Sequence, residues 1–158
     1  MFREMRRFKQ QIAPEECIEV LKNEPRGVLS VLGDDDYPYG IPVSHFYDEE
    51  TGNIYFHCAA VGHKIDAINK HDKVSFCVMD KGYRKEGEWA LNIKSVVCFG
   101  RAKMLEDRDR VIEICSKLTK KFTDDAEYLA REIRDNGKRV QVVEIKVEHM
   151  TGKLVNES

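Results

Sequence analysis

The fold is decided by residues 54–68, Ile-Tyr-Phe-His-Cys-Ala-Ala-Val-Gly-His-Lys-Ile-Asp-Ala-Ile. The first five residues of this stretch have the apolar and aromatic character of a strand. A loop of small residues follows, and then Ile65 and Ile68 recur at helical spacing. The stretch therefore predicts a strand over 54–58 and a short helix that begins after Gly62.

The junction between this strand and helix combines the residue types that bind an anion. Free N–H groups and the positive end of a helix dipole converge at a helix start, and glycine lets the backbone come close to a ligand. Lys64 adds a full positive charge. The loop lacks the GxxxxGK[ST] pattern, so a nucleoside triphosphate loop is excluded. From these residues alone, a phosphate site at Gly62, His63 and Lys64 and a solvated helix cap both stay open.

The chain before this stretch predicts its hairpin partner, a strand over 39–47 joined to it by the turn at 49–53. Pro42 removes one backbone donor, so this strand should lie at a sheet edge, carry a bulge or face a ligand. Gly40 leaves room for a planar ligand, although an irregular edge strand explains the same residues. Further along, Trp89, Asn92, Lys94 and Ser95 combine an aromatic with polar groups that either serve a binding site or face water.

The remaining hydrophobic pattern predicts a mainly β (α+β) domain. Helices are expected over 14–23 and over 107–135, the second divided near Thr123, a candidate N-cap. The other strands are expected at 27–32, 73–79, 88–105 with a bulge or bend near Gly100, and 140–147. Six strands with short connections favour an antiparallel sheet that closes into a small barrel with helices outside. A Rossmann fold is excluded because strands and helices do not alternate and GxGxxG is absent.

Length and charge limit the function classes. The chain has 158 residues and a net charge of -2, which predicts one domain over 1–158 and no nucleic-acid partner. The basic segment 3–9 is diluted by Glu4 and is not expected to bind nucleic acid or membrane. No apolar run approaches the roughly 20 residues of a membrane span, and no signal peptide is evident, so the cytoplasm is predicted. The 5 cysteines include no CxxC pair, which favours reduced, mostly buried thiols and no metal site.

Five segments together carry a resemblance to a known family. They are Gly40-Ile41-Pro42-Val43-Ser44, Ile54-Tyr55-Phe56-His57-Cys58-Ala59, Gly62-His63-Lys64, Ser95-Val96-Val97-Cys98-Phe99-Gly100-Arg101-Ala102 and Met150-Thr151-Gly152-Lys153. In this order and spacing the chain resembles the FMN-binding split barrels of the pyridoxamine 5'-phosphate oxidase-like proteins. It is most similar to their nitroimidazole-resistance (Nim) type. The resemblance extends over residues 5–153 and implies a six-stranded antiparallel split β-barrel with peripheral helices.

The resemblance also implies a cofactor site and a partner. FMN, with FAD as an alternative, would lie at the interface of a homodimer. Gly62, His63 and Lys64 would hold the phosphate, and His57 would face the reactive edge of the flavin as the one candidate catalytic residue. Backbone groups along the ribityl chain and ring would come from Val43, Ser44, His57, Cys58 and Ala59. Asn92, Lys94, Ser95 and Trp89 would approach from the partner or close the phosphate site.

The implied activity is that of an FMN-dependent oxidoreductase. Nitro compounds, nitroimidazoles among them, are the implied small-molecule substrates, with NADH or NADPH as donor. Pyridoxamine phosphate oxidases carry a C-terminal arginine and histidine segment, whereas this chain ends in residues 151–158, Thr-Gly-Lys-Leu-Val-Asn-Glu-Ser. Vitamin B6 oxidation is therefore not expected. The alternative class is a non-catalytic flavin- or haem-binding carrier or sensor, with axial ligands drawn from His45, His57, His63, His71 and His149.

Overall fold

The centre of the molecule is an antiparallel sheet of seven strands. The computed structural model describes residues 1–158. The strands are β1 (Arg26–Leu32), β2 (Pro38–Ser44), β3 (Phe46–Asp48), β4 (Asn53–Cys58), β5 (Lys73–Met79), β6 (Asn92–Met104) and β7 (Gln141–Asn156). Their order across the sheet is β2-β1-β5-β6-β7-β4-β3.

Four α-helices lie around the sheet: α1 (Pro14–Asn23), α2 (His63–Lys70), α3 (Arg108–Phe122) and α4 (Ala126–Asn136). Local chemistry sets their starts. Pro14 begins α1, where no N–H is needed, and the carboxylate of Glu16 accepts from the N–H of Ala13. Asp107 and Asp125 cap α3 and α4 by accepting backbone N–H groups. None of the helices is long and apolar enough to cross a membrane.

The sheet curls because its two longest strands are bent. β6 and β7 pair from Asn92↔Asn156 to Met104↔Val143, with a register shift between Phe99 and Gly100. A Cβ at Gly100 would strike the carbonyl oxygen of Lys146, so the close approach at this bulge requires glycine. At the open side β2 and β4 come into contact. The predicted break near Gly100 and the split-barrel fold are both confirmed.

The core fills the inside of this curl. Inward-facing side chains alternate along the strands, as in β5, where Val74, Phe76 and Val78 are buried and their neighbours are not. Helix α1 covers one opening and inserts Leu21 among them, fully buried. A second, smaller cluster lies beneath α3, around Val111 and Ile114. The core thus places α1 on one side of the barrel and the α3–α4 hairpin on another.

The predicted strand over 39–47 divides into two at His45, which explains why seven strands form instead of six. β2 pairs with β1 at the sheet edge, and only the short β3 forms the expected hairpin with β4. The imidazole of His45 is fully buried, with Nε2 2.7 Å from the carbonyl oxygen of Leu21. The prediction of one continuous hairpin was therefore wrong, whereas the edge position inferred from Pro42 is confirmed.

Three further expectations are corrected. Thr123 does not cap α4; it ends α3, and Asp125 provides the cap. β7 continues to Asn156, well past the predicted end at 147, because its second half pairs with the first half of β6. Cys77 is exposed on β5, while Cys17 and Cys98 are buried as expected.

Candidate functional site

The junction of β4 and α2 delivers the chain from the core to the surface. Ile54, Tyr55 and Phe56 are fully buried, and β4 is held between β3 and β7. His57 is exposed, and the loop 59–61 is exposed after it. The fully buried part of β4 therefore ends directly before the residues that the sequence analysis identified.

Gly62 is the point where the loop turns into α2. Its φ of +139 lies in a region that favours glycine, and nothing lies within 4 Å of the position of an added Cβ. The carbonyl oxygen of Gly62 accepts from the N–H groups of Ile65 and Asp66. The amides of His63 and Lys64 precede the first intrahelical bonds and have no helical acceptor. The helix start is therefore open and positively polarised, which suits an anion.

Lys64 is the charged side chain at the start of α2. It is half-buried, and its charge acts on the thiol of Cys58 at the end of β4. Burial raises the pKa of Cys58 above its ordinary value, and the opposing effect of Lys64 does not overcome it. Cys58 is therefore a protonated packing residue, and Lys64 forms no ion pair within the chain.

The imidazole ring of His63 packs against β2 and the turn after β1. Its ring stacks on Tyr39 of β2, with centroids 4.1 Å apart. Its Nε2 accepts from the N–H of Asp34 at 3.3 Å and lies 3.8 Å from the carboxylate of the same residue. The imidazole thus joins α2 to the turn after β1, and only the backbone of His63 faces the anion position.

Ser44 and His57 both lie at the open side of the barrel. They come from the ends of β2 and β4, and both line one groove. Val43 is half-buried and packs against the core. The backbone of Val43 is therefore the part that is left for a ligand. Ala59 follows directly in the exposed loop. Most of the first predicted set is thus gathered along one edge of the molecule.

The second predicted set lies elsewhere in the same chain. Asn92 is buried; its side-chain N–H donates to the carbonyl of Tyr83, and its Oδ1 accepts from Asn156. Lys94 forms an ion pair with Glu16 at 3.2 Å, Ser95 pairs with Met79 in the sheet, and Trp89 is exposed. The part of β7 that borders β4 pairs with 102–104 of β6, roughly 20 Å further along that strand. The two sets do not meet within one chain.

Lys121 holds the chain next to Ser44 in place, and the sequence analysis did not identify it. Its ammonium donates to the carbonyl oxygens of Glu24 and His45, each at 2.7 Å. Burial lowers the pKa of Lys121 to about 8, and it also lowers that of His45 to about 4, with the charge of Lys121 as the second cause. These bonds join the last turn of α3 to the residue that follows Ser44. No sequence signal could reveal them, because the acceptors are backbone atoms.

A buried ion pair fastens the other end of α3 and was likewise missed. Arg110 donates to the carboxylate of Asp48 at 3.1 Å and to the hydroxyl of Tyr55 at 3.3 Å. The Tyr55 hydroxyl in turn donates to Glu144 at 2.8 Å. Burial alone would raise the pKa of Asp48, but Arg110 holds it below its ordinary value. The chain pairs oppositely charged residues here, but their distance in sequence hides the pairing.

No group of three or more His, Cys, Asp or Glu side chains is arranged to hold a metal ion. The free amides at the start of α2 and the exposed His57 lie on either side of the loop 59–61, where they could bind and orient an organic ligand.

The sequence matches a known protein family. A family model described as pyridoxamine 5'-phosphate oxidase matches residues 13–154. A search of curated proteins gave no match.

Solved structures share the fold at low sequence identity. A candidate 5-nitroimidazole antibiotic resistance protein from Bacteroides thetaiotaomicron is 17% identical, with a TM-score of 0.76 over 92% of this chain and 87% of that one. A FAD-binding protein from Mesorhizobium loti is 24% identical, with a TM-score of 0.65 over 92% and 96%. A FAD and haem binding protein from Mycobacterium smegmatis is 15% identical, with a TM-score of 0.75 over 94% and 74%. At these identities the likeness establishes the fold alone.

Proposed function

The chain belongs to the pyridoxamine 5'-phosphate oxidase family, and from this premise we propose that it is a flavin-dependent oxidoreductase that acts as a homodimer. The observation that carries the proposal is the open start of α2, where two amides without a helical acceptor and the half-buried Lys64 follow an exposed strand end. An anion bound there would meet charge and donors without displacing any protein contact.

The residues of this edge fit FMN. Its phosphate would be held in the loop Gly62–Lys64, by the backbone amides of His63 and Lys64 and by the ammonium of Lys64. Gly62 leaves the approach open, since no atom lies within 4 Å of an added Cβ. The ring system would extend along the backbone of β2 and β4 toward Ser44 and His57. When bound, the flavin supplies reversible two-electron transfer, and the chain supplies orientation and exclusion of water.

Nitro-group reduction is the reaction that we propose for this site. Conversion of a nitro to a nitroso group takes two electrons and two protons and releases water. NADH or NADPH would supply a hydride, which carries both electrons and one proton, and the imidazole of His57 would donate the second proton. Support comes from family membership, from the name of the Bacteroides protein of the same fold, and from the exposed position of His57.

The homodimer rests on an apolar outer face of the sheet. Val28, Cys77 and Val97 are cross-strand neighbours there, and Met79 and Phe99 are large side chains exposed at 66% and 41%. A face of this kind indicates a protein contact. Ser95 lies beside Met79 on the same face, so a second copy docked there would bring the Asn92–Ser95 segment toward a partner. This arrangement would join the two predicted residue sets that one chain keeps apart.

A spectrum and one variant test the proposal. Protein incubated with FMN and desalted should retain a flavin spectrum. Lys64→Ala should weaken FMN binding about tenfold, the loss of one charge-assisted contact, and leave riboflavin binding within about twofold. Lys70→Ala, at the other end of α2, is the matched control and should change neither. Fluorescence titration of the two flavins gives both constants.

Three outcomes would contradict the assignment. Equal losses of FMN and riboflavin affinity would show that Lys64 does not contact a phosphate. A Soret band without flavin absorbance would favour the haem-binding alternative. Bound flavin that NADPH and NADH cannot reduce, or that does not pass electrons to nitrobenzene, would favour a carrier.

A further inference from the structure

A second feature of the open side is a groove of about 690 Å³ between the α3–α4 hairpin and the barrel. This size is that of a site for a small organic molecule. The groove begins at the strand ends and runs along both helices. Its apolar side chains include Ile112, Leu118, Phe122, Tyr128, Leu129 and Ile133.

Helix α4 forms the outer wall of the groove and is held away from the barrel. It buries no residue, although its apolar side chains share one face. Arg108 anchors the end of α4 by donating to the carbonyl oxygens of Gly137 and Val140. Asp125 caps its start. The end of α4 is therefore held to α3 by Arg108, its start is capped only within its own first turn, and the apolar face stays accessible.

The polar groups of the groove are unevenly distributed. Ser44 and His57 lie at the strand end beside Arg26. Asp125 and Glu132 lie on the helical wall. The Asp125 carboxylate is engaged with the N–H of Tyr128, whereas one oxygen of Glu132 bonds only the side chain of Asn136 at 2.9 Å. Among the lining residues, the helical wall therefore carries two acids and no base, while Arg26 lies at the strand end.

We propose that this groove binds the electron acceptor, a flat aromatic molecule that is neutral or cationic, with Glu132 as the residue that selects for charge. The proposal rests on the proposed function, since Ser44 and His57 belong to both sites. Apolar walls would contact the two faces of a ring, and the polar end would orient its reducible group toward His57.

The two acids of the helical wall disfavour the nicotinamide donor in this groove. A dinucleotide carries a diphosphate that needs positive partners, and the helical wall offers Asp125 and Glu132 instead. The acceptor would therefore bind in the groove, and the nicotinamide donor would bind outside it.

Three naphthalene probes that flavins do not reduce test the groove directly. Naphthalene-2-carboxamide is neutral, 2-naphthylmethylamine is cationic and 2-naphthoate is anionic. Titration of methyl-labelled protein by NMR, with and without FMN, should shift the methyl signals of Ile112, Leu118, Leu129 and Ile133. The cation should bind at least fivefold more tightly than the anion. Equal affinities, or shifts confined to other methyl groups, would overturn the proposal.

Variants then assign the residues. Ile133→Trp should fill the groove and weaken the neutral probe tenfold or more, while Ala130→Trp, on the exposed side of α4, should leave it within twofold. Glu132→Gln should lower the preference for the cation to below twofold without affecting the neutral probe. Unchanged binding in Ile133→Trp, or unchanged charge preference in Glu132→Gln, would contradict the assignment. Because probe binding needs no turnover, the two failures can be told apart. Probe binding without flavin retention would contradict the proposed function and the acceptor role, and would leave the groove as a ligand site. Flavin retention without probe binding would contradict only the groove.

Discussion

Helices α1 and α4 are both short and amphipathic, and both lie on the outside of the barrel, yet only α1 is part of the core. α1 buries Cys17, Val20 and Leu21, whereas α4 buries nothing. α1 contacts strands from both halves of the sheet, and the main contacts of α4 are with α3. The same periodicity thus produces a plug in one place and the wall of a groove in another.

The difference lies in what each helix finds opposite its apolar face. α1 faces the opening of the curled sheet, where Ile12 and Gly152 also meet Cys17. The apolar face of α4 lines the groove of about 690 Å³ between the α3–α4 hairpin and the barrel. Stability should therefore depend on α1, and ligand binding should depend on α4.

The largest expected effect comes from removing the plug. Leu21→Ala deletes a fully buried side chain and should lower the free energy of unfolding by about 2–5 kcal/mol, because it leaves a cavity. Urea unfolding followed by circular dichroism measures the change. Ile18→Ala, at a partly buried position of the same helix, should cost less. A loss below about 1 kcal/mol for Leu21→Ala would break the distinction between the helices.

The next effect is a pH dependence beneath α1. The pKa of His45 is lowered to about 4 from 6.5, chiefly by burial and then by Lys121. Below pH 6.5 the unfolded chain binds a proton that the folded chain does not. Stability is therefore lost as pH falls from 6.5 to 4, by about 3 kcal/mol.

His45→Gln tests this dependence, because glutamine can still donate to the carbonyl of Leu21 but cannot titrate. The variant should flatten the change in unfolding free energy between pH 4 and pH 6.5, measured by urea titration across that range. Identical slopes in variant and parent would show that His45 is not the group responsible.

The smallest stability effect is expected on the wall. Leu129→Ala should change the free energy of unfolding by less than about 1 kcal/mol, because the side chain faces the groove and not the core. The same variant should weaken binding of naphthalene-2-carboxamide several-fold. A loss of stability as large as that of Leu21→Ala would show that α4 is a second plug.

Much of the fold could be predicted because its signals are local. The 54–68 stretch, the edge position from Pro42 and the bulge at Gly100 each follow from residue types and spacing. The prediction failed at His45, where a buried side chain ends one strand and begins another. A histidine inside a strand-like run carries no sign of whether its ring will find a backbone acceptor 24 positions away.

The sequence by itself determined the fold class, the strand-to-helix junction and the family, since all three depend on short-range patterns. Only the tertiary structure decided which groups face a ligand. The ring of His63 lies against Tyr39 and Asp34, and Ser44 and His57 line one groove at the open side of the barrel. This groove exists because α4 is held at its end by Arg108 and buries no residue, a balance of contacts that no single segment encodes.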